Sequence, residues 1–217
     1  MKIAAWDLDE TLLEGDSDLL FIRHCETHGL MDASHASRAQ DFYDDYHAGK
    51  LDLAAFYDYT LSPFAGRTRT ELEPLLSSFH AGEVFPRLRP AMVERLCAQR
   101  AAGWRTVLVT ATNQLLGEPV ARHLGMDGCI ATEVAREAGR FTGAVAGEPA
   151  YRDGKRARLE SWLARRGTSL DELTDSTYHG DSTSDLPLLE RVRRPVAVTP
   201  SDELRAIAET RGWEIHA

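Results

Sequence analysis

The sequence predicts a parallel α/β sheet interrupted by an all-helical insertion, and three observations carry that prediction. Beyond Phe85, helical and strand-like patterns alternate, as they do where parallel strands are joined by helical crossovers. From Asp16 to about Phe85 the pattern is helical throughout, with no convincing strand. The apolar run Ile3 to Trp6 comes before that block and has no strand partner near it, so it must join the later strands. The block is therefore an insertion: residues 16–85 form a helical unit, and residues 1–15 and 86–217 form the sheet-bearing core.

Each element has its own local reason. Ile3 to Trp6 is short and apolar, which suits a strand buried on both faces. In the insertion, apolar positions recur at helical spacing, as in Leu19, Phe21 and Ile22, then Leu51, Phe56 and Tyr57, then Leu72, Leu76 and Phe79. Breaks at Gly29, Gly49, Pro63 to Gly66 and Gly82 divide it into about four helices. Further on, helices are expected at Ala91 to Ala102, Gln114 to Leu124, Lys155 to Arg165, Asp185 to Arg191 and Asp202 to Thr210. Strands are expected at Arg105 to Val109, Cys129 to Thr132, Ser176 to His179 and Pro195 to Val198. No internal repeat, low-complexity tract or long linker divides the chain.

Composition narrows the class of function. With 217 residues, 43% of them hydrophobic and 27% charged, the chain can bury a proper core in water. A net charge of -9 gives no support to binding of nucleic acid or anionic membrane. The amino-terminal run meets Asp7 too early for a signal-peptide apolar region, and no later run is long enough to cross a bilayer, so a cytoplasmic protein is expected. Cys25, Cys97 and Cys129 are odd in number and far apart, which fits reduced thiols in a core.

Open parallel sheets bind ligands at the carboxyl ends of their strands, so the residues just past each strand matter most. Asp7, Asp9 and Thr11 follow the first strand; Thr110, Ala111, Thr112 and Asn113 follow Val107-Leu108-Val109; Asp181 and Asp185 follow Thr177-Tyr178-His179. Lys155 opens the helix after the turn Arg152-Asp153-Gly154. A period of two puts Asp7 and Asp9 on one side of a strand, which is costly unless a cation or a proton lies between them. Taken singly, Thr110, Asp181 and Asp185 read as helix caps or loop residues and Lys155 as solvated surface. Their joint placement at strand ends is what those readings leave unexplained.

The order Asp7-Leu8-Asp9-Glu10-Thr11, Thr110-Ala111-Thr112-Asn113, Gly154-Lys155 and Gly180-Asp181-Ser182-Thr183-Ser184-Asp185 resembles the four motifs of the haloacid dehalogenase (HAD) superfamily of phosphohydrolases. The resemblance covers nearly the whole chain and extends to Gly15-Asp16-Ser17-Asp18, Tyr46 to Asp52 and Thr142-Gly143, which look like bacterial subfamily IB enzymes of the phosphoserine phosphatase or histidinol-phosphatase kind. It implies a Rossmannoid parallel core with a helical cap at residues 16–85, and a phosphomonoesterase dependent on Mg²⁺ (Mg2+). Asp7 would be the nucleophile and Asp9 the general acid and base. The metal would take the Asp7 and Asp181 carboxylates and the Asp9 carbonyl, all oxygen donors as a hard cation requires. Thr110, Ala111 and Lys155 would hold phosphate, Thr11 and Asp185 would support from behind, and Asp16 and Ser17 would meet the substrate at a hinge between core and cap. The chain departs from the common pattern at Trp6, where phenylalanine is usual, and at Ser184, where asparagine is usual.

Other motifs are weaker. Cys25 stands where a His24-to-His28 zinc motif would need glutamate, and Gly154-Lys155 lacks the following hydroxyl of a P-loop. The stripe Phe42, Tyr43, Tyr46, Phe56, Tyr57 and Tyr59 reads as bundle core, and Asp44 and Asp45 as a solvated face. The expected partner is a small phosphorylated metabolite, taken by a monomer or homodimer. A phosphoserine enzyme of this family carries an arginine after a Phe-x-x-Ser-Leu stretch, but Phe56 to Leu61 continues Ser62-Pro63-Phe64 without a base. Unless Arg67 or Arg69 reaches in, the acids Asp16 and Asp18 favour an ammonium, and hence histidinol phosphate over phosphoserine. A phosphotransferase or a non-catalytic binding module on the same fold is the other expectation.

Overall fold

Strand β1 (Lys2–Trp6) lies in the middle of a six-stranded sheet because its side chains alternate between two buried faces. Ile3 and Ala5 join one apolar cluster, and Ala4 and Trp6 join the other. In this computed structural model, which describes residues 1–31, 38, 41, 42, 44, 45 and 50–216, the sheet order is β3-β2-β1-β6-β7-β8. Its strands are β2 (Arg105–Asn113), β3 (Gly128–Thr132), β6 (Asp175–Gly180), β7 (Arg194–Val198) and β8 (Glu214–His216), and every neighbouring pair is parallel. Between β3 and β6 the chain forms an antiparallel hairpin, β4 (Val134–Glu137) with β5 (Arg140–Val145).

The insertion begins with α1 (Ser17–Thr27), continues through α2 (Leu53–Thr60) and ends with α3 (Arg69–Phe79), which Thr68 and Glu71 start with a reciprocal capping box. Tyr43 and the stretch Tyr46 to Gly49 lie outside the described residues. After a π-helical turn at His80–Val84, α4 (Pro90–Ala101) begins with proline, whose missing N–H costs nothing at a first helical position. Helix α5 (Gln114–His123) starts from the Asn113 cap. It shares with α4 the face of the sheet that carries Trp6 and Leu108. Helices α6 (Asp153–Ala164), α7 (Leu186–Leu189) and α8 (Asp202–Arg211) cover the other face through Leu159, Leu163, Leu188 and Leu204. Trp6, the departure at the first strand, stacks on His179 at 3.5 Å and donates to Gln99 Oε1 at 3.1 Å.

Several expectations need correction. Strand β2 runs on to Asn113 instead of stopping at Val109, with a register shift between those residues, so Thr110 to Asn113 are strand end and not loop. The helix expected from Asp185 to Arg191 is a 3-10 turn at Thr183–Asp185 followed by the short α7. The β4–β5 hairpin carries no signal of its own in the local pattern, because its order comes from distant pairing. The Phe141 amide and carbonyl bond to Arg67 O and Gly66 N, both at 2.8 Å, so the insertion supplies its edge. Strand β8 is three residues long and only half buried, too short for a periodic signal. All three cysteines are free, but Cys97 is exposed and does not lie in a core.

Candidate active site

The ladder between β1 and β6 continues one step past the strand, with the Asp7 amide donating to His179 O at 2.9 Å, so the Asp7 side chain emerges at the sheet's carboxyl edge. Asp7 Oδ1 accepts from the Leu8 amide at 2.8 Å and Oδ2 from Lys155 Nζ at 2.8 Å. Lys155 arrives from the first turn of α6 because Gly154 allows a close approach: a Cβ there would lie 2.1 Å from Pro149 O. The buried Lys155 ammonium also donates to Asp185 Oδ1 at 2.7 Å and lies 3.3 Å from the Tyr178 hydroxyl. Tyr178 itself donates to Asp185 Oδ1 at 2.6 Å. Asp185 Oδ2 takes the amides of Asp181 at 3.2 Å and Ser182 at 3.4 Å, which fixes the turn after β6.

One carboxylate oxygen from each of Asp7, Asp181 and Asp185 lies within 4.8 Å of the others. Three acids against one lysine leave buried negative charge, and burial, offset in part by Lys155, pushes the Asp7 carboxyl up to about 7. Burial, with Asp185 and Asp7 adding to it, raises Asp181 well above the usual carboxylate range. An all-oxygen, negatively charged donor set of this kind fits a hard divalent cation such as Mg²⁺. Asp185 is thus both a Lys155 partner and a member of this group by position.

Asp9 points differently. Its Oδ1 accepts from the Ser17 amide at 2.7 Å and its Oδ2 from the Thr112 hydroxyl at 2.5 Å. Thr110 Oγ1 donates to Thr112 Oγ1 at 3.0 Å, and Ser17 Oγ lies 3.1 Å from the same oxygen. Burial pushes the Asp9 carboxyl up to about 7, with Asp16 adding repulsion, so it can exchange a proton near neutrality. The chain then turns sharply at Glu10, whose φ of 53° is left-handed and which Arg89 holds by a 3.2 Å ion pair. Thr11 is buried behind this turn, its amide donating to Leu8 O at 3.2 Å, and it does not line the cavity.

The cavity over these residues has a polar floor of Asp7, Asp9, Thr110, Ala111, Lys155 and Asp181, with Ser184 at its edge. Glu10, Asp16 and Asp18 form an acidic side. The insertion supplies an apolar wall from Leu19, Phe42, Leu51, Leu53, Phe56 and Tyr57, and Tyr151 adds another ring. Part of the aromatic stripe therefore faces the cavity, whereas Tyr59 packs with Ile22 in the bundle. Lys155 is the one cationic side chain among the described lining residues. Arg69 is engaged elsewhere, by Glu73 and Glu118, and Arg67 is not in the lining. Asp16 caps α1, accepting from the Leu19 amide at 2.9 Å. Reasoning from the sequence missed Thr112, Tyr178 and Glu10; each stood in a quoted motif or strand, but only the fold shows which way its side chain turns.

A family model described as haloacid dehalogenase-like hydrolase matches residues 4–190. The chain is 35% identical over 216 residues to a histidinol-phosphatase of Neisseria meningitidis serogroup C (strain 8013), covering 99% of this chain and 97% of that one. Among solved structures it is similar to a protein of unknown function from Bordetella pertussis Tohama I, with a TM-score of 0.92 and 36% identity, covering 100% of this chain and 98% of that one. A substrate-bound phosphoserine phosphatase complex shares the fold, with a TM-score of 0.72 at 16% identity over 100% of this chain and 93% of that one.

Proposed function

We propose that this chain, which belongs to the haloacid dehalogenase-like hydrolase family and is one of its phosphatases, hydrolyses a small amino-alcohol phosphate of the histidinol phosphate kind with the help of Mg²⁺. The observation that carries the reading is Asp7, held by Lys155 and grouped with Asp181 and Asp185 while Asp9 stands ready to exchange a proton.

Asp7 Oδ attacks phosphorus, and the bond from phosphorus to the substrate oxygen breaks as Asp9 gives that oxygen its proton. Water then attacks the phosphorus of the aspartyl-phosphate, Asp9 takes the water's proton, and the bond to Asp7 breaks to release inorganic phosphate. Lys155 offsets the repulsion between the Asp7 carboxylate and the phosphate dianion, and Thr110 with the Ala111 amide receives phosphate oxygens. Asp7, Asp181 and Asp185 are the side chains that would hold Mg²⁺, which supplies positive charge to the developing phosphoryl oxygens when bound. Ser17 and Thr112 keep the Asp9 carboxylate aimed. Residues 16–85 act as a cap whose wall excludes water from the reacting centre.

The acidic side formed by Glu10, Asp16 and Asp18, with no arginine in the described lining, favours an ammonium over a substrate carboxylate. The rings of Phe42, Phe56, Tyr57 and Tyr151 suit a flat apolar or heterocyclic group. Phosphoserine is the second reading, favoured by the fold shared with the substrate-bound phosphatase. We place the enzyme in the cytoplasm, as a monomer or homodimer; no helix among the described residues is long and apolar enough to cross a membrane. The test is phosphate release from histidinol phosphate, phosphoserine and a generic aryl phosphate with and without Mg²⁺. Histidinol phosphate should give the highest kcat/KM, and Asp7→Asn should reduce turnover by at least about 1,000-fold while the protein stays folded. A variant within tenfold of wild type would remove Asp7 from the nucleophile's role.

A further inference from the structure

Glu10 and Thr199 are two of the four non-glycine residues with positive φ among the described residues, at 53° and 38°. They stand 189 positions apart, yet Thr199 Oγ1 donates to Glu10 O at 2.6 Å. Thr199 is the more strained of the two, because a β-branched side chain fits left-handed backbone poorly. A fold keeps such a residue where its surroundings hold it from several sides, and such positions gather at functional sites. Thr199 follows β7, its amide donates to His216 O at 2.6 Å, and buried Pro200 comes next. Ser201 then donates its amide to Asp181 O at 2.9 Å, while its hydroxyl oxygen caps α8 through the Leu204 amide. The segment from Thr199 to Ser201 therefore reaches both sides of the site, the turn after Asp9 and the turn that carries Asp181. Glu10 is held at each of its polar groups: its amide donates to Gly15 O at 3.2 Å, its carboxylate pairs with Arg89, and its carbonyl takes the Thr199 hydroxyl. This turn lies between Asp9 and Ser17, whose amide donates to Asp9 Oδ1, so its shape sets where the Asp9 carboxyl points.

We propose that Thr199 is a positioning residue for proton transfer: its hydroxyl locks the turn after Asp9 and so aims the Asp9 carboxyl at the leaving oxygen. This rests on the phosphomonoesterase reading above and adds to it a residue outside the four motifs. Thr199 is not in the cavity lining and acts through Glu10, which is. The effect is selective for the substrate's leaving group. An alkyl oxygen leaves poorly unless it is protonated as the bond breaks, whereas 4-nitrophenolate leaves with little help.

The experiment measures kcat/KM in Mg²⁺ for an alkyl phosphate, histidinol phosphate or phosphoserine, whichever wild type cleaves faster, and for 4-nitrophenyl phosphate. Because kcat/KM reports the first phosphoryl transfer, the ratio of the alkyl to the nitrophenyl value measures how well Asp9 is aimed. Thr199→Val keeps the branched shape and the backbone strain but removes the donor, and should lower the ratio by at least about tenfold. Thr199→Ser keeps the donor and should stay within about threefold of wild type. Thr199→Gly removes the donor and relieves the backbone, so it should lower the ratio as Thr199→Val does while showing a higher urea midpoint than Thr199→Val. A purely structural role would move the midpoints and leave the ratio alone. An unchanged ratio in Thr199→Val or Thr199→Gly, or an equal loss in Thr199→Ser, overturns the inference and leaves the phosphatase reading standing. Wild type that cleaves none of the three compounds overturns both.

Discussion

The hydroxyl of Tyr57, on α2 of the insertion, donates to the main-chain carbonyl of Ala111 at the carboxyl end of β2, at 3.1 Å. The same oxygen lies 3.1 Å from Thr132 Oγ1, which donates to Ala111 O at 2.7 Å and accepts from the Ala150 amide at 3.1 Å. One side chain thus ties the insertion to the strand end expected to receive phosphate.

Tyr57→Phe keeps the ring in the wall and removes the tie. A hydrogen bond of this kind contributes about 1 kcal/mol, so kcat/KM for an aryl phosphate should fall about fivefold, with amide exchange in α2 accelerated. Unchanged kinetics and exchange would show that packing alone holds the insertion in place.

The carboxylates should divide their labour measurably. Because the Asp9 side chain is taken up by Ser17 and Thr112, Asp9→Asn should leave Mg²⁺ affinity within about threefold while turnover falls by about 100-fold or more. An asparagine Nδ2 can donate to the Thr112 hydroxyl, so the local network survives. Asp181→Asn should weaken Mg²⁺ binding by about tenfold or more. Calorimetry giving the opposite order would reverse the two roles.

Gly180→Ala should damage the site although the position is a strand residue. The added Cβ would lie 2.5 Å from Asp185 Oδ2, and Asp185 must then leave Lys155 and the Asp181 amide. A loss of about 2 kcal/mol in stability and a large drop in turnover are expected. Gly82→Ala, with nothing within 4 Å of its Cβ, is the control that should change neither.

The acid limb of stability should carry a signature from β8. Two hydrogen bonds from Arg95, both at 2.8 Å, and one from His216 hold the Glu214 carboxyl down at about 2 from an ordinary 4.5. A depressed carboxyl stabilises the fold above its unfolded value and loses that contribution as pH falls from about 4.5 towards 2. Half of the Glu214 side chain is exposed, so the effect is small. The difference in urea midpoint between wild type and Glu214→Gln should be larger at pH 6 than near pH 3; a difference that grows on acidification would reverse the sign.

The parallel core was legible because Ile3 to Trp6, Val107 to Val109 and the helices between strands carry strong local patterns, and parallel sheets bind ligands at one edge. Asp7, Asp9, Thr110, Lys155, Asp181 and Asp185 could be named as candidates from their places at strand ends and from the resemblance to the four motifs. Tertiary structure alone decided the rest. It alone determined that Thr112 turns to Asp9, that Tyr178 joins Lys155 and Asp185, that the hairpin at Val134 to Val145 pairs with Gly66 and Arg67, and that Asp16 caps α1 while Asp18 lies buried beside Asn113. The physical reason is range: periodicity reports what neighbours along the chain do, whereas a hydrogen bond from Thr112 to Asp9 joins residues 103 positions apart, a pairing with no local trace.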